Sequence, residues 1–428
     1  MQVLESVTKA GPKAWGLLLF LLGLNILNFM DRTLPHAFIV DITDDLDMSY
    51  TTFTLIGGPL FGIVYAVMGL LMGALADRFN RPRLIAAGVL IWSLMTAATG
   101  MAKSVFQFAL ARGGVAVGEA SLSPAALSML SEVFPPSMRG TASSLYYLGI
   151  SIGAGGSYLV AASVGESLGW RNCFLLLGGI GAIMAVLVAF LPDPRGRAEK
   201  SAFPPGAKLS DGAREMLGIL GKSAALRWTL LSAILILFSQ GASILDQAWL
   251  VREAGLEKSE AQGLVGALFT IGSVAGALLG GPMADLFAKR WQSGRLIYAI
   301  VVMMLLAPIG LMYRFIDPAS TLFSAAILVG AAAFTLFYGA LIATVQDLVP
   351  AHIRATTIAV TLLAMALLGT ALGNVFAGYL ADLVAQLGWA APIRTASLIT
   401  NAVGLLALPC LALAALTFPR DRARYGSV

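Results

Sequence analysis

Apolar segments of about 20 residues recur along the whole chain and are separated by short polar stretches. A helix of this length crosses roughly 30 Å of hydrocarbon, and it satisfies its own backbone groups where lipid offers no hydrogen-bond partners. Strands of a membrane barrel would be shorter and would alternate between apolar and polar positions. The pattern therefore predicts an all-α membrane protein. Twelve spanning helices are predicted, with centres near residues 27, 63, 92, 118, 151, 181, 239, 273, 304, 335, 367 and 406.

Composition and charge support this interpretation and predict an orientation. The 428 residues are 58% hydrophobic and 12% charged, with a mean hydropathy of +0.83. With the N-terminus inside, 20 of the 28 Lys and Arg residues fall on the cytoplasmic side and six fall outside. Because positive residues collect in cytoplasmic loops, both termini are expected in the cytoplasm. The net charge of +5 reflects this bias and not a nucleic-acid surface. Lean loops and short termini suggest a bacterial inner membrane, and we expect a monomer.

The two halves of the chain resemble each other at a nearly constant offset. Gly73–Asp77 matches Gly281–Asp285, and Leu168–Trp170 matches Leu387–Trp389. Parallel repeats of this kind are typical of transporters built from two related helix bundles. The predicted organisation is an N-terminal six-helix bundle at 1–191, a cytoplasmic linker at 192–227 and a C-terminal six-helix bundle at 228–428.

The loop after the second predicted helix, from Gly73 to Arg83, has the sequence GALADRFNRPR. It resembles the G-x-L-x-D-R-x-x-R-x-R loop of the major facilitator superfamily, except that Asn80 stands where many members have glycine. The resemblance covers essentially the whole chain. It implies the major facilitator fold, with two six-helix bundles and transport by alternating access.

The same loop predicts a cytoplasmic gate. Asp77 can accept hydrogen bonds at the N-terminus of the eleventh helix, where the helix dipole favours a carboxylate. Arg81 can reach Glu132, and Arg139 can add a further link. We expect these contacts to hold the cytoplasmic side closed when the transporter faces outward.

The first predicted helix carries Asp31 and Arg32 inside an otherwise apolar run. A charge at membrane depth costs at least about 2.5 to 3.5 kcal/mol, so it persists only beside a partner or a water-filled cavity. Arg112 lies at a comparable depth on the fourth helix, and Glu119 lies about 10 Å further in on the same helix face. Asp31 and Arg112 are therefore expected to meet, with Glu119 close enough to exchange the same arginine.

These residues resemble a narrower group within the superfamily. The run Asn28–Arg32, the run from Arg112 to Gly118-Glu119-Ala120-Ser121, Phe134 to Arg139, and Tyr146-Tyr147 are similar to the Spinster family of lipid transporters. Members of that family are linked to export of sphingosine phosphate and lysophospholipids. The resemblance implies that Asp31, Arg32, Arg112 and Glu119 form the polar site.

An amphipathic anion fits the uneven distribution of charge between the halves. The N-terminal half carries the buried charges, whereas the C-terminal half offers aromatic side chains such as Phe337. We expect the substrate's head on Arg32 or Arg112 and its chain against apolar residues, with Asn28 and Tyr146 as further contacts. Asp31 and Glu119 are predicted to carry protons as Arg112 moves between them.

Three other functions remain open at this point. The first is a proton-coupled carrier of small organic or sugar acids, and the second is a multidrug efflux antiporter whose carboxylates bind cationic amphiphiles. A receptor or channel is the third. No paired hydrolytic residues, metal-ligand cluster or cofactor loop indicates an enzyme, so no cofactor or metal is expected. The expected partners are a small amphipathic substrate, protons and membrane lipids, and no nucleic acid.

Overall fold

The structure is a computed structural model that describes residues 11–136, 138–194, 209–350 and 353–425. All regular elements within these ranges are helical, as lipid-facing backbone requires. Ten helices in this part of the chain are long and apolar enough to cross a membrane. The chain is thus an integral multi-pass membrane protein.

Two details of local structure raise these ten spans to the twelve that the sequence predicts. The 51-residue helix Arg139–Ala189 contains a break at Gly169, where the backbone leaves the helical region, so it forms two spans. The fourth predicted span is divided into Val105–Glu119 and Leu122–Val133, each shorter than a membrane crossing. The two parts of the fourth span are long enough to cross a membrane when taken together, and each part of Arg139–Ala189 is long enough by itself.

The spans are labelled α1 to α12 in chain order. The first six are α1 (Pro12–Ala37), α2 (Tyr50–Leu55, π-helical Ile56–Leu60 and Phe61–Arg78), α3 (Arg81–Met101), α4 (Val105–Glu119 and Leu122–Val133), and α5 and α6 (Arg139–Ala189 before and after Gly169). The other six are α7 (Ala224–Gln240, Gly241–Leu245 and Asp246–Arg252), α8 (Lys258–Arg290), α9 (Gly294–Met312), α10 (Thr321–Asp347), α11 (Arg354–Ala364, π-helical Met365–Ala371 and Leu372–Gln386) and α12 (Pro392–Gly404 and Ala407–Tyr425). Short helices also form at Ile39–Asp45, Leu209–Lys222 and Tyr313–Phe315.

Polar side chains cap several of these helices at their N-termini. Asn80 accepts a hydrogen bond from the backbone N–H of Arg83 and so caps α3. Ser104, Ser223 and Ser320 do the same for α4, α7 and α10. Such caps satisfy backbone donors that the helix itself leaves unpaired. The departure at Asn80 from the family loop therefore has a structural role.

The helices form two compact units, and α2 and α8 each divide between them. The first unit comprises Met1–Met48, Leu60–Phe203 and Glu257–Ala267, and the second comprises Ser49–Pro59, Pro204–Leu256 and Leu268–Val428. In the first unit α1, α3 and α4 pack with α5 and α6, and in the second unit α7 packs against α12 and α9 against α10. Each unit has its own hydrophobic core. The bundle boundaries at 191 and 228 stay predictions.

The start of α8 is attached to the first unit by polar contacts. Gln262 donates to the backbone oxygen of Ala37 at 2.9 Å, and the Lys258 ammonium lies 2.6 Å from an Asp41 carboxylate oxygen. Gly266 packs closely on this unit as well, because a Cβ there would lie 2.9 Å from the backbone oxygen of Gly155. This segment is therefore part of the first unit although it follows the predicted linker.

The start of α2 is attached to the second unit in a corresponding way. The Asp382 carboxylate on α11 accepts from the backbone N–H groups of Thr51 at 2.7 Å and Tyr50 at 3.2 Å, and from the Thr51 hydroxyl at 2.5 Å. A carboxylate at a helix N-terminus is favoured by both hydrogen bonding and the helix dipole. Asp382 thus fixes where α2 begins.

The repeat-related glycines Gly169 and Gly388 both adopt positive φ, at 73° and 76°. Gly169 also has ψ at 160°, a combination that is essentially restricted to glycine and costs other residues about 1 to 3 kcal/mol. A Cβ at Gly169 would meet nothing within 4 Å. We therefore expect Gly169→Ala to lower the thermal unfolding temperature purely through the backbone. Gly179→Ala, within α6 and equally unobstructed, is the control and should leave that temperature unchanged or slightly raised; equal shifts in the two variants would contradict the assignment.

Candidate functional site

Asp31 on α1 and Arg112 on α4 form a buried ion pair within the first unit. Arg112 Nη1 lies 3.2 Å from Asp31 Oδ1, and neither side chain is more than 3% exposed. The hydroxyl of Thr96 on α3 donates to the other oxygen, Oδ2. The predicted meeting of these two residues is confirmed as a contact. Their roles in transport stay predictions.

Arg32 and Glu119 form a second ion pair beside the first. Glu119 Oε2 accepts from Arg32 Nη2 at 2.7 Å and from Nε at 3.0 Å. The Glu119 side chain is completely buried, whereas that of Arg32 is 26% exposed. The other carboxylate oxygen, Oε1, is buried and has no hydrogen-bond partner among the described residues. Glu119 is thus paired with Arg32 in this structure, and its exchange of Arg112 with Asp31 stays a prediction.

Aromatic rings surround the Arg32 guanidinium. Its central carbon lies 4.7 Å from the ring centre of Phe29, 5.0 Å from Phe61 and 4.6 Å from Tyr65. Arg112 lies 5.5 Å from the Phe61 ring. A cation over an aromatic face is stabilised electrostatically, most strongly away from water. These rings hold Arg32 in place while leaving part of it open.

Asp31, Arg32, Arg112 and Glu119 are called the charged cluster from here on. Sequence reasoning missed three of its neighbours: Thr96, Phe61 and Tyr65. The only available signal for Thr96 was a polar side chain in an apolar helix. Phe61 and Tyr65 are four residues apart and so share one face of α2, but aromatic pairs at this spacing also occur in ordinary helix packing.

Glycines bring the helices that carry the charged cluster into close contact. On α5, a Cβ at Gly153 would lie 2.3 Å from the backbone oxygen of Ile26 on α1. Between α3 and α4, a Cβ at Gly118 would lie 2.5 Å from the backbone oxygen of Gly88. Small residues permit such approach in membrane helix bundles. This close packing sets how the helices carrying Asp31 and Glu119 are placed against their neighbours, and so where these two side chains lie in the unit.

Three further residues were predicted to contact substrate. Asn28 is buried one turn before the charged pair of α1, and its Nδ2 has no hydrogen-bond partner in the described part of the chain. Tyr146 is fully buried in the core of the first unit, with its hydroxyl 3.4 Å from that of Ser123. Phe337 is buried in the core of the second unit. Asn28 thus lies on the same helix as the charged pair, and Tyr146 and Phe337 lie in the cores of their units. Contact of any of the three with substrate stays a prediction.

The residues of the predicted cytoplasmic gate are brought together only in part. Arg81 Nη1 lies 2.5 Å from Glu132 Oε1, so that predicted contact is confirmed. Arg139 donates instead to the backbone oxygen of Phe134, at 3.4 Å. The side chain of Asp77 lies outside the described residues. The gating role of all four stays a prediction.

The second unit contains a counterpart of the Arg81–Glu132 pair. Arg295, the second residue of α9, lies 2.6 Å from Asp347 at the end of α10 and 3.0 Å from Asp285. Arg81 is likewise at the start of α3, and Glu132 is at the end of α4. The arginine of the second copy was missed because it lies beyond the end of the repeated loop.

A part-buried ion pair also forms in the second unit, between the buried Arg314 and the partly exposed Asp246. The Tyr313 hydroxyl donates to the same Asp246 oxygen at 3.2 Å. Asp246 belongs to α7, whereas Arg314 follows α9, so no local sequence pattern indicates that the two residues meet. Removing Asp246 would leave the buried Arg314 charge uncompensated.

The chemistry available to the charged cluster is the binding and movement of charge. It contains two carboxylates and two guanidiniums, whereas nucleophilic catalysis needs a nucleophile hydrogen-bonded to a base. In the part of the chain that the structure describes, no three His, Cys, Asp or Glu side chains are arranged to hold a metal ion. Guanidinium groups bind carboxylate and phosphate oxygens with defined geometry. An anion-binding site that also exchanges protons fits this inventory.

Comparisons with known proteins extend these observations. A protein from Mycolicibacterium smegmatis named as an MFS-type efflux pump is 30% identical over 426 residues, which cover 97% of this chain and 96% of that protein. Protein spinster homolog 1 of Homo sapiens is 31% identical over 210 residues, covering 47% of this chain and 39% of that protein.

The fold is also similar to solved transporter structures. A bacterial homolog to the human lysosomal transporter Spinster, solved in an inward-facing and unoccupied conformation, superimposes with a TM-score of 0.83. It is 25% identical, and the superposition covers 96% of this chain and 98% of that one. The sequence model of the Major Facilitator Superfamily matches residues 21–373. This chain therefore belongs to the major facilitator superfamily, as a secondary transporter with a Spinster-like fold and not an enzyme.

Proposed function

We propose that this protein transports an amphipathic anion of the sphingolipid or lysophospholipid class by alternating access, coupled to protons. It would do so in a bacterial inner membrane, with both termini in the cytoplasm. Asp31 and Glu119 would carry the protons, and Arg32 and Arg112 would bind the anionic head. Asn28 would contribute a further polar contact.

The observation that carries this proposal is the setting of Arg32. It is the one partly exposed member of the charged cluster, and three aromatic rings lie within 5.0 Å of its guanidinium. A phosphate or carboxylate can bind the open side of the guanidinium, while the adjoining rings offer apolar surface to a hydrocarbon chain. Arg32 and its neighbouring rings thus offer a contact for each part of an amphipathic anion, the charged head and the hydrocarbon chain.

Proton coupling is supported by the two hydrogen bonds that the Arg32 guanidinium donates to the Glu119 carboxylate. The substrate's head and the Glu119 carboxylate compete for Arg32. Protonation of Glu119 neutralises the carboxylate, weakens its hold on the arginine and leaves the cation available to the anion. By thermodynamic reciprocity, anion binding then favours protonation to the same extent.

The cytoplasmic gate belongs to the same proposal. Arg81 and Glu132 form the contact described above, and Asp77 and Arg139 would add to it when the transporter faces outward. The contacts must break as it turns inward, so the gate residues are expected to affect transport rate more than substrate affinity.

A second candidate function is efflux of cationic amphiphiles, favoured by the full-length relative named as an efflux pump. In that case Asp31 and Glu119 would bind the substrate directly. Both carboxylates are no more than 1% exposed, and each is already paired with an arginine. A cation would have to displace an arginine from a buried carboxylate, which makes this the weaker candidate.

Substrate binding by purified protein separates these functions. We expect a lysophospholipid to bind, and a hexuronate and a lipophilic cation to bind much more weakly. Arg32→Gln should weaken lysophospholipid binding about tenfold or more, because it removes a charge-assisted contact to the head group. Isothermal titration calorimetry with each of the three probes is a suitable measurement.

The matched control is Arg171→Gln, which removes a part-exposed arginine of the same unit that is ion-paired with Asp45. It should bind the lysophospholipid as the parent protein does. Unchanged binding in both Arg32→Gln and Arg112→Ala would refute the head-group site, and preferential binding of the lipophilic cation would establish the second candidate instead.

A further inference from the structure

A cavity of about 410 Å³ lies entirely within the second unit, where α8 ends and α9 begins. The ends of α10 and α12 complete its walls. By the charge count this end of the unit faces the cytoplasm. The Asp246–Arg314 pair lies at the other end of α9, since Arg314 follows the C-terminal end of that helix. The proposed substrate chemistry does not use the cavity.

The cavity carries unpaired positive charge. Arg295 lies 3.0 Å from Asp285 and 2.6 Å from Asp347, so with Lys289 and Arg422 the lining holds three cations and two carboxylates, a net charge of +1. Lys289 and Arg422 also line the cavity, and within the described ranges neither is paired with a carboxylate. These two cations are free to bind an anion. Gln292 and Ser293 supply additional polar groups in the same wall.

The walls that carry these cations are held in place by close contacts. Asp421 accepts from the Ser223 hydroxyl and the Ala225 backbone N–H, both at 2.9 Å, which fixes α12 immediately before Arg422. The Ser293 hydroxyl donates to the backbone oxygen of Ala415 on α12 at 2.6 Å. A Cβ at Gly294 would lie 2.1 Å from the backbone oxygen of Phe287. The cavity is therefore a defined part of the fold and not a gap between loose loops.

Apolar side chains are exposed at the end of α8 and directly after it, beside the cavity. Met283, Leu286 and Trp291 are each more than 40% exposed, as expected for side chains that face lipid. Tryptophan is enriched where the hydrocarbon meets the head groups, so Trp291 marks that level of the membrane. Phe418 adds an aromatic ring to the cavity lining, 5.9 Å from the Arg422 guanidinium. A polar, cationic cavity thus opens next to a surface for acyl chains.

We propose that this cavity binds the phosphate of an anionic phospholipid from the cytoplasmic leaflet, with Lys289 and Arg422 as the cationic ligands. Basic pockets between helices on this side of a membrane are suited to acidic head groups. The lipid's chains would lie along the exposed apolar face of α8. This site is distinct from the charged cluster of the first unit, so its occupancy does not depend on which substrate is transported.

The test is lipid-dependent thermal stability of the purified full-length protein in neutral detergent. Phosphatidylglycerol should raise the unfolding temperature, whereas phosphatidylcholine and inorganic phosphate should not. Each of Lys289→Gln and Arg422→Gln should weaken apparent phosphatidylglycerol affinity roughly fivefold, and the double variant should lose most of the stabilisation. Native mass spectrometry of the same samples counts the retained lipids.

The matched controls are Arg290→Gln and Arg424→Gln, on the same two helices but stacked on Trp291 and Tyr425 outside the cavity lining. They should respond to phosphatidylglycerol as the parent protein does. An equal effect of phosphatidylcholine, or a full response in the double variant, would overturn the proposal. The same protection by inorganic phosphate alone would assign the cavity to a soluble phosphate and overturn the lipid assignment.

Discussion

Asp31→Asn is expected to abolish proton-driven uptake of the substrate in proteoliposomes. The amide cannot take up a proton, and it removes the negative charge that Arg112 contacts at 3.2 Å. Breaking a buried ion pair by removing one partner costs about 3 to 5 kcal/mol, since the other charge stays buried without compensation. The variant should therefore lose coupling and also unfold at a lower temperature. Uptake driven by an imposed pH gradient measures the first effect directly.

The control for this variant is Asp45→Asn, in the same unit. Asp45 also pairs with an arginine, Arg171, at 2.9 Å, but its side chain is 46% exposed. Exposed pairs contribute at most about 1 kcal/mol, so transport and stability should change little. Parent-like pH dependence of uptake in Asp31→Asn would remove this residue from the coupling mechanism.

Gly118→Ala is expected to destabilise the protein by about 1 to 3 kcal/mol, as overpacking does elsewhere. Its Cβ would lie 2.5 Å from the backbone oxygen of Gly88 and 2.6 Å from the backbone nitrogen of Trp92. Backbone atoms of a packed helix cannot rotate away, so α4 must move from α3. Because α4 carries Arg112 and Glu119, substrate binding should weaken with stability.

Gly113→Ala provides the comparison within the same helix. A Cβ there would meet nothing within 4 Å, and alanine is the better helix former by up to about 1 kcal/mol. Thermal unfolding followed by tryptophan fluorescence should show a loss for Gly118→Ala and no loss for Gly113→Ala. Equal unfolding temperatures for these two variants would mean that the α3–α4 contact is not tight.

The sequence was sufficient for features that depend on spacing along a helix. The depths of Asp31 and Arg112 followed from the rise per residue, and the contact between them is confirmed. The contact of Arg81 with Glu132 was likewise predicted from the loop motif. The repeat pairing of Gly169 with Gly388 reappears as two positive φ angles. In each case a local constraint, such as a helix period or a turn, decides the result.

Other features depended on helix rotation, which periodicity does not fix. The pairing of Glu119 with Arg32 was not predicted, because neighbouring residues on α1 point to different sides of that helix and the pattern does not show which side faces α4. For the same reason Thr96 was not identified from the sequence, because its hydrogen bond to Asp31 depends on which face of α3 is turned towards α1. In an apolar helix nearly every face looks suitable for packing, so the hydrophobic pattern carries little information about rotation.

The division of α2 and α8 between the two units has a consequence for how such a protein can be built from a duplicated gene. Tyr50 and Thr51 are held by Asp382, and Gln262 binds the backbone of Ala37. A half-length polypeptide would therefore lack one helical segment of its own unit and carry one that belongs to the other. Each half-length chain would leave these backbone groups of Tyr50, Thr51 and Ala37 without the partners they have here unless the other half were joined to it.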